Sequence, residues 1–169
     1  MQFLNERRRL SIILDYVFGN GVSKALPKEG LKLLYSRKSG RVKFVFHGSK
    51  LFATMKPSGD VALSVYGATL LLKSSAFRKN CVVVQDDAAI FVSQGKSAFC
   101  KFVKSAGANV LPRSEVAVLD GKGRVVGVGR AIMAGKFMAE FSHGVAVKTR
   151  QGASAPRSKH NTKPSLTTG

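Results

Sequence analysis

Apolar and polar positions alternate along this chain with two different periods. Leu10, Ile13, Leu14 and Val17 recur at i, i+3, i+4 and i+7, the stripe of an amphipathic helix, with Arg8 on the opposite face and Arg7 and Arg9 on the flanks. After the Gly/Pro-rich stretch "FGNGVSKALPKEG" the period drops to two. The runs 31–36, 41–47, 51–56 and 61–65 predict a β-meander broken by "KSG", "HGSK" and "PSGD", all turn chemistry. A short helix is expected at 66–74, with Leu70 and Leu71 turned inward.

"AFRKN" closes this first unit, and a domain boundary is placed near residue 79. "CVVV" then reads as a buried strand. Asp86 reads as an N-cap with Asp87 in the first helical turn, and Gly95 as the C-terminal stop. "SAFCKFVKSA" alternates as a single strand. "VLPRSEVAVLDGKGRVVGVGRAIM" predicts two strands around a "DGKG" hairpin turn. "AGKFMAEF" supplies a helical turn or two, and "HGVAVKTR" a last strand. The organisation expected is 1–79, 80–152, and a basic, flexible tail at 153–169 that lacks any apolar period.

Composition adds a core and a charge. The chain has 169 residues, 44% of them apolar with 11 Phe, enough to bury a core. Lys and Arg number 28 against 9 Asp and Glu, giving +19. Residues 1–79 carry 15 basic and 4 acidic groups, 80–150 carry 10 and 5, and 151–169 carry 3 and 0, so every part is positive. An anionic partner such as nucleic acid is the usual reason for such a surface. Asp15 breaks the N-terminal apolar run, no small-residue cleavage site follows it, and no stretch reaches the length of a membrane span. Cys81 and Cys100 are too few for a disulfide framework, and both are read as reduced, buried residues of a cytoplasmic protein.

Catalytic readings fail on spacing. Gly127 and Gly129 are followed by Ile132 where a dinucleotide fingerprint needs its third glycine, and they lie inside a strand. "GKS" at 95–97 has Ile90 where a phosphate loop needs glycine. Asp86 and Asp87 are explained by helix capping, and His47, His143 and His160 stand in separate segments. No catalytic residue, metal site or cofactor is expected, and a binding module is favoured.

The stretch from Cys81 to Gly152 resembles a PUA domain. The features that carry this are Gly95-Lys96 before the first long strand, a Pro-containing turn, "LDGKGRVVGVGRA", the "MAGKFM" helix and the closing "GVAVKTR". The family often has Pro-Gly-Asp where this chain has Pro112-Arg113-Ser114, so the positive-φ glycine of that turn is missing. Upstream, "LDYVFGNG", "YSRKSGRVKFVF" and "LFATMKPSGDVALSVYGATLL" resemble the α+β domain that precedes PUA in archaeal tRNA-guanine (archaeosine) transglycosylases. The resemblance implies an α+β domain followed by a PUA-type small mixed β-barrel. It supplies no match for those enzymes' catalytic barrel, nucleophile or zinc ligands.

The resemblance implies structured RNA as the ligand, tRNA near its acceptor stem first of all, read by shape, phosphates and 2′-hydroxyls. The expected contacts are Lys96, Ser97, Lys101, Arg130, Lys136, Lys148 and Arg150 in the barrel, with Lys104 on the same strand as Lys101. Arg37, Lys38, Arg41 and Lys43 form a basic hairpin in the first unit. The glycines of "VVGVGRAIMAGK" are expected to admit either RNA backbone or a neighbouring strand. The reading is a non-catalytic RNA-binding protein in an RNA-modification context, with RNA and a catalytic tRNA-modifying subunit as partners and no membrane. The alternatives are a ribosome-biogenesis or protein-assembly factor, an accessory subunit of a separate tRNA-guanine transglycosylase, and a small RNA-modifying enzyme.

Overall fold

A computed structural model describes residues 2–154 of the chain. Most of the expected tail, including His160, lies outside the described residues. The architecture is a mixed α/β N-terminal region followed by a PUA-like, nearly closed β-barrel.

The N-terminal region lays α1 (Gln2–Phe18) and α2 (Val65–Leu71) on an antiparallel sheet of order β1-β2-β3-β4. The strands are β1 (Leu31–Tyr35), β2 (Val42–His47), β3 (Lys50–Met55) and β4 (Val61–Leu63). The helical stripe faces inward: Leu10, Leu14 and Phe18 are buried, with Ile13 and Val17 packed against the same core. Phe18 meets Phe77 edge-on at 5.5 Å. The second helix begins one residue earlier than its pattern suggests and ends three residues earlier. Ser64 caps it, its Oγ accepting from Gly67 N at 2.9 Å. Leu71 is buried and Leu70 only partly.

The barrel comprises β5 (Cys81–Val84), α3 (Asp86–Ser93), β6 (Ala98–Phe99), β7 (Val103–Ala106), β8 (Glu115–Leu119), β9 (Val125–Ala131), α4 (Gly135–Met138) and β10 (Val145–Gly152). Its strand order is β6-β10-β9-β8-β5-β7. "SAFCKFVKSA" is therefore not a single strand. A 3-10 turn at Cys100–Phe102 splits it, and its two halves lie at opposite ends of the strand order, which draws the sheet towards closure. Alternation alone cannot reveal this break, because both halves keep it.

The period-two rule divides two cores. On β5 and β8, Val82, Val84, Val116 and Val118 point into the barrel interior, while Cys81, Ala117 and Leu119 join the core of the N-terminal region. The two units thus share an apolar wall. Asn80 Nδ2 (2.7 Å) and Asn109 Nδ2 (3.2 Å) both donate to Phe18 O, closing the end of α1.

Asp86 is not the N-cap. Gln85 holds that position without a side-chain bond, and Asp86 instead accepts Gly121 N at 2.9 Å, pinning the β8–β9 turn to α3. Gly95 does follow the helix end at φ 94°. The turn lacking its glycine is nevertheless built: Ser114 N donates to Leu111 O at 3.0 Å, and Arg113 takes φ 70°. Pro at the second position and positive φ at the third is the type II pattern, with Arg standing where glycine is favoured.

Candidate nucleic-acid interface

The β1–β2 connection raises the first basic group. Ser36 N donates to Arg41 O and Gly40 N to Ser36 O, both at 2.8 Å, which fixes a tight loop bearing Arg37, Lys38 and Arg41. All three and Lys43 are exposed. A shallow groove of about 390 Å³ runs beside them, lined by Arg37, Lys38 and Lys43 together with Tyr35 and Phe44. Lys43 Nζ sits 5.2 Å from the Phe44 ring centroid. Cations beside an aromatic face can take both phosphate and base. This hairpin belongs to the edge of the sheet opposite β4, the strand that abuts β8 and β9. The hairpin cations and the barrel cations are therefore separate groups, not one cluster.

In the barrel, β9 and β10 align Arg130 directly opposite Lys148, and β8 places Glu115 on the other side of Arg130. Arg150 follows a different course. The ladder runs from Thr149↔Gly129 to Gln151↔Val128, so Arg150 is the extra residue of a bulge, and bulges re-aim side chains. Its guanidinium forks onto Glu115 and donates to Leu63 O at 2.5 Å. Arg150 is thus committed within the protein, tying the barrel to β4, and its charge is already balanced. Burial pushes the Glu115 carboxyl above its ordinary value, and the Arg150 fork only partly offsets this.

Lys96 and Ser97 lie just past α3, where Lys96 N donates to Phe91 O at 3.1 Å and Lys96 Nζ reaches over the Phe91 ring at 5.5 Å. Lys101 is not on a strand: it sits in the 3-10 turn, above Phe102 at 4.8 Å, while Lys104 belongs to β7. Lys136 is the second residue of α4, with its Nζ 4.8 Å from the Phe137 ring centroid. Phe91, Phe99 and Phe137 are exposed. Lysines poised over accessible rings recur here, a pairing invisible in a list of charges. Sequence reading missed Lys56 and Arg113, which line a cleft between the two units with Arg130. Only the departure from Pro-Gly-Asp drew attention to that turn.

The glycines of "VVGVGR" do not meet RNA. Gly127 and Gly129 are buried. A Cβ on Gly129 would stand 2.2 Å from Lys148 O, and one on Gly127 would stand 2.9 Å from a Val92 methyl. They admit the protein's own β10 and α3, so the neighbouring-strand expectation holds and the RNA-backbone one does not.

Cys81 and Cys100 are free and buried, and burial pushes the Cys81 thiol up to about 12. His47 Nδ1 lies 2.6 Å from Tyr66 Oη, a local hydrogen bond beneath a stacked pair of rings. Among the described residues no three His, Cys, Asp or Glu side chains gather as metal ligands. No described helix is long and apolar enough to cross a membrane.

Comparison with known proteins joins these two halves. Residues 80–153 match the PUA domain family, and residues 8–77 match the patch-forming domain C2 of tRNA-guanine transglycosylase. The chain carries a C2 patch-forming domain followed by a PUA domain. Its relatives include the tRNA-guanine(15) transglycosylases of Thermoplasma volcanium, 36% identical over 145 residues, and of Pyrococcus abyssi, 33% identical over 150. These alignments take in 85% and 89% of this chain but 23% and 25% of those proteins, so it spans about a quarter of the curated relatives' length. The C2–PUA arrangement also superposes on a hypothetical protein from Pyrococcus horikoshii (TM-score 0.68, 22% identity, 92% of each chain). A conserved PUA domain protein from Thermoplasma acidophilum matches similarly (TM-score 0.67, 21% identity, 92% of this chain and 91% of that one). At those identities the likeness is one of fold.

Proposed function

We propose that this C2–PUA chain is a non-catalytic RNA-binding protein that recognises structured RNA, tRNA first of all, in an RNA-modification context. The observation that carries the reading is its match to the C2 and PUA portions of transglycosylases named for tRNA, on a chain of net charge +19. The contacts proposed are Lys96, Ser97, Lys101, Arg130, Lys136 and Lys148 on the PUA domain and Arg37, Lys38, Arg41 and Lys43 on the C2 hairpin. No cofactor is required by this reading, and its setting is the cytoplasm, where tRNA is modified and the buried thiols stay reduced. A duplex of A-form geometry hides its base edges, so cations spread over two domains suit reading by contour and backbone.

Filter binding of tRNA across a salt series tests it. With about six to ten phosphates engaged, affinity falls on the order of 10³–10⁵ between 50 and 200 mM salt. Binding that is absent, or indifferent to salt, overturns the reading. Mass spectrometry of tRNA nucleosides after incubation with the pure protein is expected to show no new modification.

A second reading, docking onto a catalytic tRNA-modifying subunit, is favoured by Ile12 and Tyr16. They stand one turn apart on α1 with 63% and 91% of their surfaces exposed. A pull-down of such a subunit that survives nuclease supports docking, and loss on nuclease treatment leaves RNA as the bridge.

A further inference from the structure

We propose that the cleft between the C2 and PUA domains is a phosphate subsite, held by Lys56, Arg113 and Arg130. The inference rests on the RNA-binding reading for the source of the phosphate, a backbone phosphate of RNA. Neither domain makes the cleft alone: Lys56 and Asp60 come from the β3–β4 connection, Arg113 and Ser114 from the turn before β8, and Arg130 from β9. Its volume is about 190 Å³. That is below the roughly 300–1,000 Å³ of small-molecule sites, and several times the roughly 30 Å³ share of one water. A single ionic group fits this size better than a whole nucleotide.

The charges at its rim do not cancel. Glu115 is held by the Arg150 fork and by Leu63 N at 3.2 Å, with the charge of Lys56 also acting on it. The lining then sets three cations, Lys56, Arg113 and Arg130, against two carboxylates, Asp60 and Glu115, and Arg150 already meets the second of these from outside the lining. Asp60 stands 4.0 Å from Arg130, a loose pairing, and also accepts the Ser58 hydroxyl at 2.7 Å. Phe18 and Val61, both buried, are the apolar residues of the lining with Val17.

The backbone points the same way. Arg113 is the one non-glycine residue with positive φ among the described residues. Its turn would form without strain around glycine, yet carries a guanidinium at the mouth of the cleft. Strained backbone of this kind clusters at functional sites, where the surrounding structure holds it in place.

Two measurements on the full chain test the subsite, using Arg113→Gly, which keeps the turn's backbone, and Arg130→Gln. The first is an amide NMR titration with inorganic phosphate. Shifts centred on Val61, Arg113 and Ser114, lost in both variants, are expected. The second is the salt dependence of tRNA binding. Each variant is expected to lower the slope by about 1, whereas Lys122→Gln at the β8–β9 turn leaves it unchanged. Either positive result supports the subsite. Absence of phosphate shifts, together with slopes that are unaltered or that fall equally in Lys122→Gln, overturns it. A parent chain that fails to bind tRNA overturns the proposed function instead, and the phosphate titration still decides the cleft.

Discussion

Arg150 sets both terminal guanidinium nitrogens on the Glu115 carboxylate, Nη1 to Oε2 at 2.9 Å and Nη2 to Oε1, while Nη2 also holds Leu63 O of the C2 domain. The neighbouring Gln151 side chain accepts Val65 N at 2.9 Å. The backbone of residues 63–65 is thereby gripped by side chains from β8 and β10.

Removing the arginine should cost more than a surface ion pair. The Glu115 side chain is only 7% exposed, so Arg150→Ala strands a buried carboxylate and is expected to lower stability by about 3 kcal/mol. The double variant Arg150→Ala/Glu115→Leu should recover much of this, which urea denaturation of the four-member cycle will measure. The pH sign follows from the direction of the shift. Glu115 titrates above its unfolded value, so the folded state holds its proton longer and stability falls as pH rises through that window. Without Arg150 the fall steepens and reaches to higher pH. The variant's deficit therefore shrinks in acid, where Glu115 is protonated in both states.

Asp120 should behave in the opposite sense. Burial alone would raise its carboxyl, but Arg124 N, Lys122 N and the Arg124 guanidinium all donate to it, at 2.8–2.9 Å, and hold it below the usual carboxylate range. Its contribution is present above the ordinary Asp value and is lost as pH falls through the lower folded one. Asp120→Asn is expected to lose about 1.5–3 kcal/mol at neutral pH, the scale of hydrogen bonds to a charged group. Denaturation curves should show the gap to the parent closing in acid.

Arg113→Gly should stabilise the fold. A side chain in the left-handed region costs about 1–2 kcal/mol, and glycine's extra freedom in the unfolded chain returns about 0.4–1 of that. The net expectation is a gain of roughly 0.5–1 kcal/mol in urea denaturation. Arg113→Val, branched at Cβ, should lose stability in the same assay.

Much of this fold could be read from the periods. The stripe Leu10–Val17, the four C2 strands and the "DGKG" hairpin obey local rules, because each buries one face against a single neighbour. What stayed hidden depends on residues far apart in the chain. The 3-10 break at Cys100–Phe102 is dictated by barrel closure, and Asp86 is diverted by Gly121, 35 positions away. The same holds for the site. Exposed cations such as Arg37, Lys38 and Lys96 are visible as charges, but nothing local shows that a bulge re-aims Arg150 onto Glu115, or that Lys56 and Arg113 line one cleft.

Gly129→Ala tests the packing reading of the glycine pair. The new methyl would press on a carbonyl of β10, backbone that cannot swing aside, so a loss of at least about 1–3 kcal/mol is expected. Equal stability of the variant in urea would mean that β10 can yield, and that the glycine is needed for something else.

Lys148 separates stability from binding. It lies directly opposite Arg130 on the same face of the barrel, and like charges so placed are destabilising, by about 0.2–1 kcal/mol for such pairs. Lys148→Thr removes the repulsion and supplies a good strand former, so denaturation should show a gain on that scale. If the pair is kept for its ligand, the same variant should bind tRNA more weakly and with a salt slope lower by about 1. A solvated lysine with no ligand would give the first effect without the second. Opposed signs in the two assays would mark Arg130 and Lys148 as a pair kept for a polyanion, since an anion between them turns mutual repulsion into shared attraction.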